Sequence, residues 1–94
     1  MRPQASATIL IEDERVRVTR FDFAPGAETG WHTHGLDYVI TAITDCAMVL
    51  EEPGDVTRFV EVAAGGGYAR KAGVEHNVVN GGPAAMAFTE IELK

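Results

Sequence analysis

Turn residues divide this 94-residue chain into short segments, and that spacing constrains its fold more than any other feature. Glycine and proline cluster at 25–26, 53–54, 65–67 and 81–83. The segments between them either alternate apolar and polar residues or are continuously apolar. No window combines a helix cap with an apolar stripe of helical period. Many short strands between Gly/Pro turns predict an all-β fold, an antiparallel sandwich or barrel.

The chain is long enough for a single domain, which we assign to residues 1–94, with residues 1–7 as a loose N-terminal arm. Strands are predicted over 8–11, 15–23, 38–44, 46–50, 56–62, 68–71, 76–80 and 85–93. The apolar parity of the second strand changes partway, from Val16 and Val18 to Phe21 and Phe23. This change predicts a β-bulge near residues 19–20, or a strand buried on both faces.

The charge and the termini limit the classes of function. The net charge of −6 comes with no basic patch, which argues against nucleic acids and anionic membranes as partners. The N-terminus lacks the apolar core of a signal peptide, and no apolar run approaches the roughly 18 residues of a membrane span. The single cysteine, Cys46, cannot form an internal disulfide. We therefore expect a cytoplasmic protein, whose small size favours additional burial through association.

The three histidines are candidate metal ligands. His32 and His34 are two residues apart, so on a strand both imidazoles project from the same face. A barrel that places the strand of His76 beside them would gather three imidazole nitrogens around one point. Such a set holds a divalent ion and leaves coordination positions free. The competing interpretation is that the histidines are polar residues tolerated at a barrel mouth, with no ion.

The spacing around His32 and His34 resembles the first motif of small single-domain cupins, which fold as a double-stranded β-helix or jelly-roll barrel. That motif has a glycine, then His-x-His after five residues, a glutamate three or four residues later, and a final glycine. This chain has Gly26, His32, His34, then Tyr38 in place of the glutamate and Asp45 in place of the last glycine.

The second cupin motif is matched around His76. The chain has Gly65, then Lys71 in place of a proline, followed by Gly73, His76 and Asn80 at the family's spacing. The resemblance covers residues 16–93. The runs at 25–26, 31–34, 37–39, 72–77 and 91–94 are similar to those of the small cupins named β-alanine degradation proteins.

The tyrosine at position 38 distinguishes this chain within the family pattern. A phenol has a pKa of roughly 10 and is a poor ligand for divalent ions. The resemblance therefore implies a three-histidine site, like that of the three-histidine cupin dioxygenases, with Tyr38 as a hydroxyl that contacts substrate or as a core aromatic. Asp37 and Glu75 lie off the ligand face. An open coordination position would suit an anionic chelating substrate.

Other residues have simpler expected roles. We expect Asn80 to be structural, Trp31 to face away from the cavity, and Cys46 to be a small buried hydrophobe. Met48 and Phe88 are expected to line the barrel core, with a place in a cavity wall as the alternative. The Arg70–Lys71 pair is either a solvated edge or a cationic group that attracts a carboxylate.

The expected cofactor is one divalent transition metal, with iron first and Zn, Ni, Mn, Co or Cu as alternatives. The expected function is a dioxygenase-like metalloenzyme acting on a small carboxylate, amino-acid-like or thiol metabolite bound in the barrel. Two alternatives remain open: a non-catalytic binding or sensing protein with a structural metal, and a barrel that functions through its dimer surface. Size and resemblance together imply a homodimer.

Overall fold

A computed structural model describes all residues from Met1 to Lys94 and contains strands but no helices. The nine strands are β1 (Ser6–Glu12), β2 (Val16–Phe23), β3 (His32–Thr33), β4 (Asp37–Ala42), β5 (Cys46–Glu52), β6 (Val56–Val62), β7 (Gly67–Arg70), β8 (Glu75–Asn80) and β9 (Met86–Leu93). The predicted strand segments are all present, with bounds that shift by a few residues. The structure has no helix with the length and apolarity needed to cross a membrane.

The strands form two sheets, with strand orders β1-β2-β9-β4-β7 and β3-β8-β5-β6. All pairings between named strands are antiparallel, which confirms the predicted all-β antiparallel class. The apolar residues between the sheets form one core, which includes the rings of Phe21, Phe23 and Phe88 with centroids 5.3–6.5 Å apart. Met48 and Cys46 are buried in the same core, as expected.

The bulge predicted in the second strand lies in its neighbour instead. β2 pairs with β9 residue by residue from Val16 to Phe23, without a shift. The register shift occurs in β1 between Ile9 and Ile11. In β2 itself every residue is buried or half-buried, so the alternative of a strand covered on both faces is the better description. The change of parity therefore reflects burial of both faces and not an inserted residue.

Residues 1–7, expected to be a loose arm, are hydrogen-bonded to the body of the protein. The Ala5 amide donates to the Glu28 carbonyl at 2.8 Å, and the Glu28 amide donates to the Pro3 carbonyl at 2.9 Å. Ser6 already belongs to β1. The arm is held because the irregular segment before β3 has free backbone groups that it satisfies.

The strand predicted over 38–44 is shorter and is buried on one face only. β4 ends at Ala42, and its residues alternate so that Tyr38, Ile40 and Ala42 are buried while Asp37 and Thr41 are exposed. β4 lies between β9 and β7 in its sheet. This alternation points Tyr38 towards the inside of the barrel, where the histidines also lie.

Candidate metal centre

Strand pairing brings the three histidines together. β3 pairs with β8 so that His32 is directly opposite His76. His34 follows β3, and its backbone amide donates to the Val74 carbonyl at 2.8 Å, which fixes the chain where the strand ends. His34 and His76 are 42 positions apart in sequence, and one short antiparallel ladder brings them together.

The Nε2 atoms of the histidines converge on one point. Nε2 of His34 lies 3.1 Å from Nε2 of His32 and 3.1 Å from Nε2 of His76. The three rings are close to perpendicular to one another, with centroids 4.7–5.1 Å apart. Three imidazole nitrogens at this separation match the donor set of a divalent transition metal, which binds nitrogen at about 2.0–2.1 Å. The group fits one shared ion.

Hydrogen bonding and burial keep the imidazoles in the form that binds metals. Nδ1 of His32 lies 2.9 Å from the Gly30 carbonyl oxygen, so Nδ1–H donates and Nε2 carries the lone pair. Burial lowers the pKa of His34 to about 4, with the charges of His32 and Arg70 adding to the effect. Burial lowers the pKa of His76 to about 3. Both rings are therefore neutral at pH 7.

Asn77 holds the loop that positions His32. Its side chain is buried beside His76, and its Oδ1 accepts a hydrogen bond from the Gly30 amide at 2.9 Å. Because the Gly30 carbonyl is the partner of the His32 ring, the position of this loop sets the direction of Nε2. The sequence pattern does not point to Asn77. Its parity on β8 differs from that of His76, and only the pairing shows that the loop covers its face.

A pair of carboxylates orients the Asn77 amide. Nδ2 of Asn77 donates to Glu28 at 2.7 Å and to Glu51 at 2.9 Å. Arg2 binds both oxygens of Glu51, at 2.8 and 3.0 Å, and also contacts Glu28. The guanidinium and the amide together hold the pKa of Glu51 below its usual value. The N-terminal segment is thus connected, through Asn77, to the loop behind the candidate site.

Tyr38 stacks on His34. The ring centroids are 3.8 Å apart and the planes meet at 18°. The Tyr38 hydroxyl is buried and has no hydrogen-bond partner. The same is true of Nδ1 of His76. Burial raises the pKa of Tyr38 to about 12, so its side chain is a neutral phenol. Tyr38 therefore does not supply the negative charge that the family pattern places at position 38.

Glu90 is a buried carboxylate that the sequence analysis missed. Its Oε1 lies 3.7 Å from Nε2 of His34. Burial raises its pKa to about 7, and the charge of Glu92 adds to this shift. One signal was present in the sequence: Glu90 is two residues after Phe88, so a core-facing strand carries a charged residue on its inner face. An isolated buried carboxylate is rare and indicates a specific environment.

His32 and His76 open onto a cavity of about 200 Å³. Its wall is formed by Phe21, Thr29, His32, Tyr38, Ile40, Tyr68, His76, Val78, Phe88 and Glu90. Most of these residues are apolar, and the few polar groups lie at the histidine end. This arrangement is typical of a small-molecule site, where apolar walls exclude water and polar groups orient the ligand.

The remaining candidates lie away from the cluster. Asp37 is exposed and accepts the Ala72 amide at 2.8 Å, and Glu75 is exposed. Trp31 is 56% exposed, so it faces solvent. Burial raises the pKa of the Cys46 thiol, which accords with a hydrophobe and not a nucleophile. Arg70 is close enough for its charge to act on both His34 and His76.

Comparison with known proteins shows relatives along the whole chain, although no protein-family model matches it. The chain is 50% identical over 94 residues to the β-alanine degradation protein BauB of Pseudomonas aeruginosa, covering 99% of this chain and 97% of that protein. A cupin domain from Bordetella pertussis has a TM-score of 0.95 and 44% identity, covering 100% and 97% of the two chains. A double-stranded β-helix protein from Klebsiella pneumoniae has a TM-score of 0.79 and 20% identity, covering 96% and 76%, and shares the fold. The predicted fold and resemblance are confirmed.

Proposed function

Because this chain belongs to the family of small cupins that includes BauB, we propose that it is a metalloenzyme. In this proposal one divalent transition metal, iron in the cell, is held by His32, His34 and His76. The observation that carries the proposal is the convergence of three Nε2 atoms beside a mostly apolar cavity. A bound iron would supply dioxygenase-type chemistry, as a Lewis acid and as a template for substrate and O2.

We propose a small carboxylate, amino-acid-like or thiol metabolite as the substrate. Arg70 places a positive charge near the histidines, and its Nη1 is 3.9 Å from a carboxylate oxygen of Glu52. A substrate carboxylate would exchange with that weak ion pair. The apolar wall around Phe21 and Phe88 excludes water from the bound molecule. BauB is named for β-alanine degradation, which supports a small amino or carboxylic acid.

Tyr38 would contact the substrate. Its neutral hydroxyl has no partner inside the protein, so a carboxylate or carbonyl oxygen in the cavity can accept its hydrogen bond. The stacking of its ring on His34 fixes where the hydroxyl points. In this role Tyr38 orients the substrate and donates a hydrogen bond, and it remains protonated throughout.

Oxygen uptake tests the enzymatic proposal. Iron-loaded protein should consume O2 with at least one member of a panel of amino acids, including β-alanine, thiols and β-diketones. The reason is that the substrate would complete the coordination of a site with only three protein ligands. Metal-free protein and His76→Ala are the controls and should show no uptake above background. No uptake with any panel member would rule out the dioxygenase proposal.

The second candidate is a non-catalytic binding protein with a structural metal. The mostly apolar cavity favours it, because few of its groups can move a proton. In this case a metabolite would co-purify with the protein and would not be converted. Mass spectrometry of protein purified from its native host separates the two, since an enzyme releases a product and a binding protein returns the ligand unchanged.

We also propose that the protein is a homodimer. Ile9, Leu10 and Ile11 are exposed on β1, an edge strand with every residue exposed, which leaves an apolar patch of the kind covered by association. Light scattering at micromolar concentration should give twice the 10.1 kDa chain mass. Ile11→Asp should shift the protein towards the monomer, and Thr57→Asp on the exposed strand β6 should not. A monomeric mass for the unmodified protein contradicts the proposal.

A further inference from the structure

The candidate metal centre lacks a carboxylate at the position where the family pattern has one. Tyr38 occupies that position, is neutral and stacks on His34. Three neutral imidazoles would therefore hold a doubly charged ion with no compensating charge among the ligands. A buried cation without a nearby anion is costly, because the protein interior screens charge poorly.

A carboxylate does reach the site, but from another strand. β9 is the neighbour of β4, and the register pairs Ile40 with Glu90 and Tyr38 with Glu92. Glu90 is therefore a diagonal neighbour of Tyr38 on the same face of the sheet. It lines the same cavity as His32 and His76. β9 can thus supply a carboxylate to the part of the cavity that a glutamate at position 38 would reach.

The distances place that charge within reach of the ion. Oε1 of Glu90 is 3.7 Å from Nε2 of His34. With a metal–nitrogen bond of about 2.0–2.1 Å, an ion on His34 is at most about 6 Å from this oxygen. An opposite charge at about 4–6 Å strongly favours a charged group in a partly buried site.

No other group in the protein accounts for the burial of this carboxylate. Glu90 is 9% exposed, its side chain makes no hydrogen bond, and the one basic side chain within 4 Å of its carboxylate is the His34 imidazole. Glu92 on the same strand is different, because it faces Arg17 at 3.9 Å. A buried carboxylate is costly in its charged form, and a cation held by the histidines would offset that cost.

We propose that Glu90 is the anionic group of the metal centre, supplying from β9 the negative charge that the family pattern places at position 38. The inference rests on the metal site proposed above. Glu90 sets the affinity for the cation, and the three histidines set its position. Because Glu90 supplies the charge, position 38 can hold a tyrosine whose hydroxyl faces the substrate.

Titration of the metal-free protein with Co²⁺ tests this role. Binding is monitored by calorimetry and by the visible absorption of the bound ion. Glu90→Gln keeps the shape and removes the charge, so Co²⁺ affinity should fall by at least about tenfold. Glu92→Gln is the matched control on the same strand and should change affinity much less. The double variant Tyr38→Glu with Glu90→Gln returns a carboxylate at the family position, so affinity should recover.

The outcomes separate this inference from the proposed function. Tight Co²⁺ binding by the unmodified protein and by folded Glu90→Gln alike would overturn the role of Glu90 and leave the three-histidine site intact. No Co²⁺ binding by the unmodified protein would overturn both. Failure of the folded double variant to recover affinity would overturn the charge role. Glu90→Ala, in the same titration, provides the measurement if the amide variant does not fold.

Discussion

His76→Ala should remove metal binding from a protein that remains folded. His76 is 2% exposed and is the only proposed ligand on β8. Loss of one ligand of three should lower metal affinity by at least about 100-fold, because even a partner of a ligand contributes 10–100-fold. The ring borders the cavity, so its removal enlarges an existing space. Elemental analysis measures the metal content of the variant, and circular dichroism measures whether it is folded.

The control for this variant is Thr33→Ala, an exposed position on β3 between the two other proposed ligands. It should keep the full metal content. Metal retained by His76→Ala at the level of the unmodified protein would contradict the three-histidine site. A variant that binds no metal and fails to fold would show that the ion is structural, which favours the binding-protein candidate over the enzyme.

Asn80→Ala should destabilise the protein by about 3 kcal/mol. The Asn80 side chain is buried at the end of β8 and connects three segments. Its Nδ2 donates to the carbonyls of Phe23, Ala24 and Ala84 at 2.9–3.3 Å, and its Oδ1 accepts the Gly82 amide at 3.1 Å. Alanine would leave these groups without partners and would open a void. Urea unfolding of metal-free protein measures the loss.

Asn80→Asp is the matched variant, because it keeps the shape and the acceptor but cannot donate. It should also be destabilising, since the carbonyls lose their donor and a carboxylate is buried beside them. Thr57→Ala, exposed on β6, should change stability by less than about 0.5 kcal/mol. A loss below about 1 kcal/mol in Asn80→Ala would show that water replaces these hydrogen bonds.

The strands and the histidine cluster could be predicted from the sequence. Alternation of apolar residues is a local property, so β2 and β6 are visible without knowledge of their partners. The spacing of His32, His34 and His76 matches a known pattern, and the pairing of β3 with β8 puts that pattern into one site. The structural role expected of Asn80 agrees with its four hydrogen bonds.

What the sequence did not reveal depends on which strands are neighbours. Glu90 approaches His34 only because β9 lies beside β4, and the bulge in β1 follows from pairing with β2. Asn77 belongs to a strand in which five consecutive residues are buried. The strand therefore shows no alternation of buried and exposed residues from which the role of Asn77 could be predicted. The loop that covers it, and the contacts of Arg2 behind that loop, are long-range features with no local signature.

The exposure of Trp31 gives the candidate site its own optical reporter. It is the single tryptophan of the chain and immediately precedes His32. A paramagnetic ion held by the adjacent imidazole would lie close to this indole and should change its emission. We therefore expect metal occupancy of the site to be measurable by intrinsic fluorescence, in the unmodified protein and in each histidine or glutamate variant, without attaching a dye.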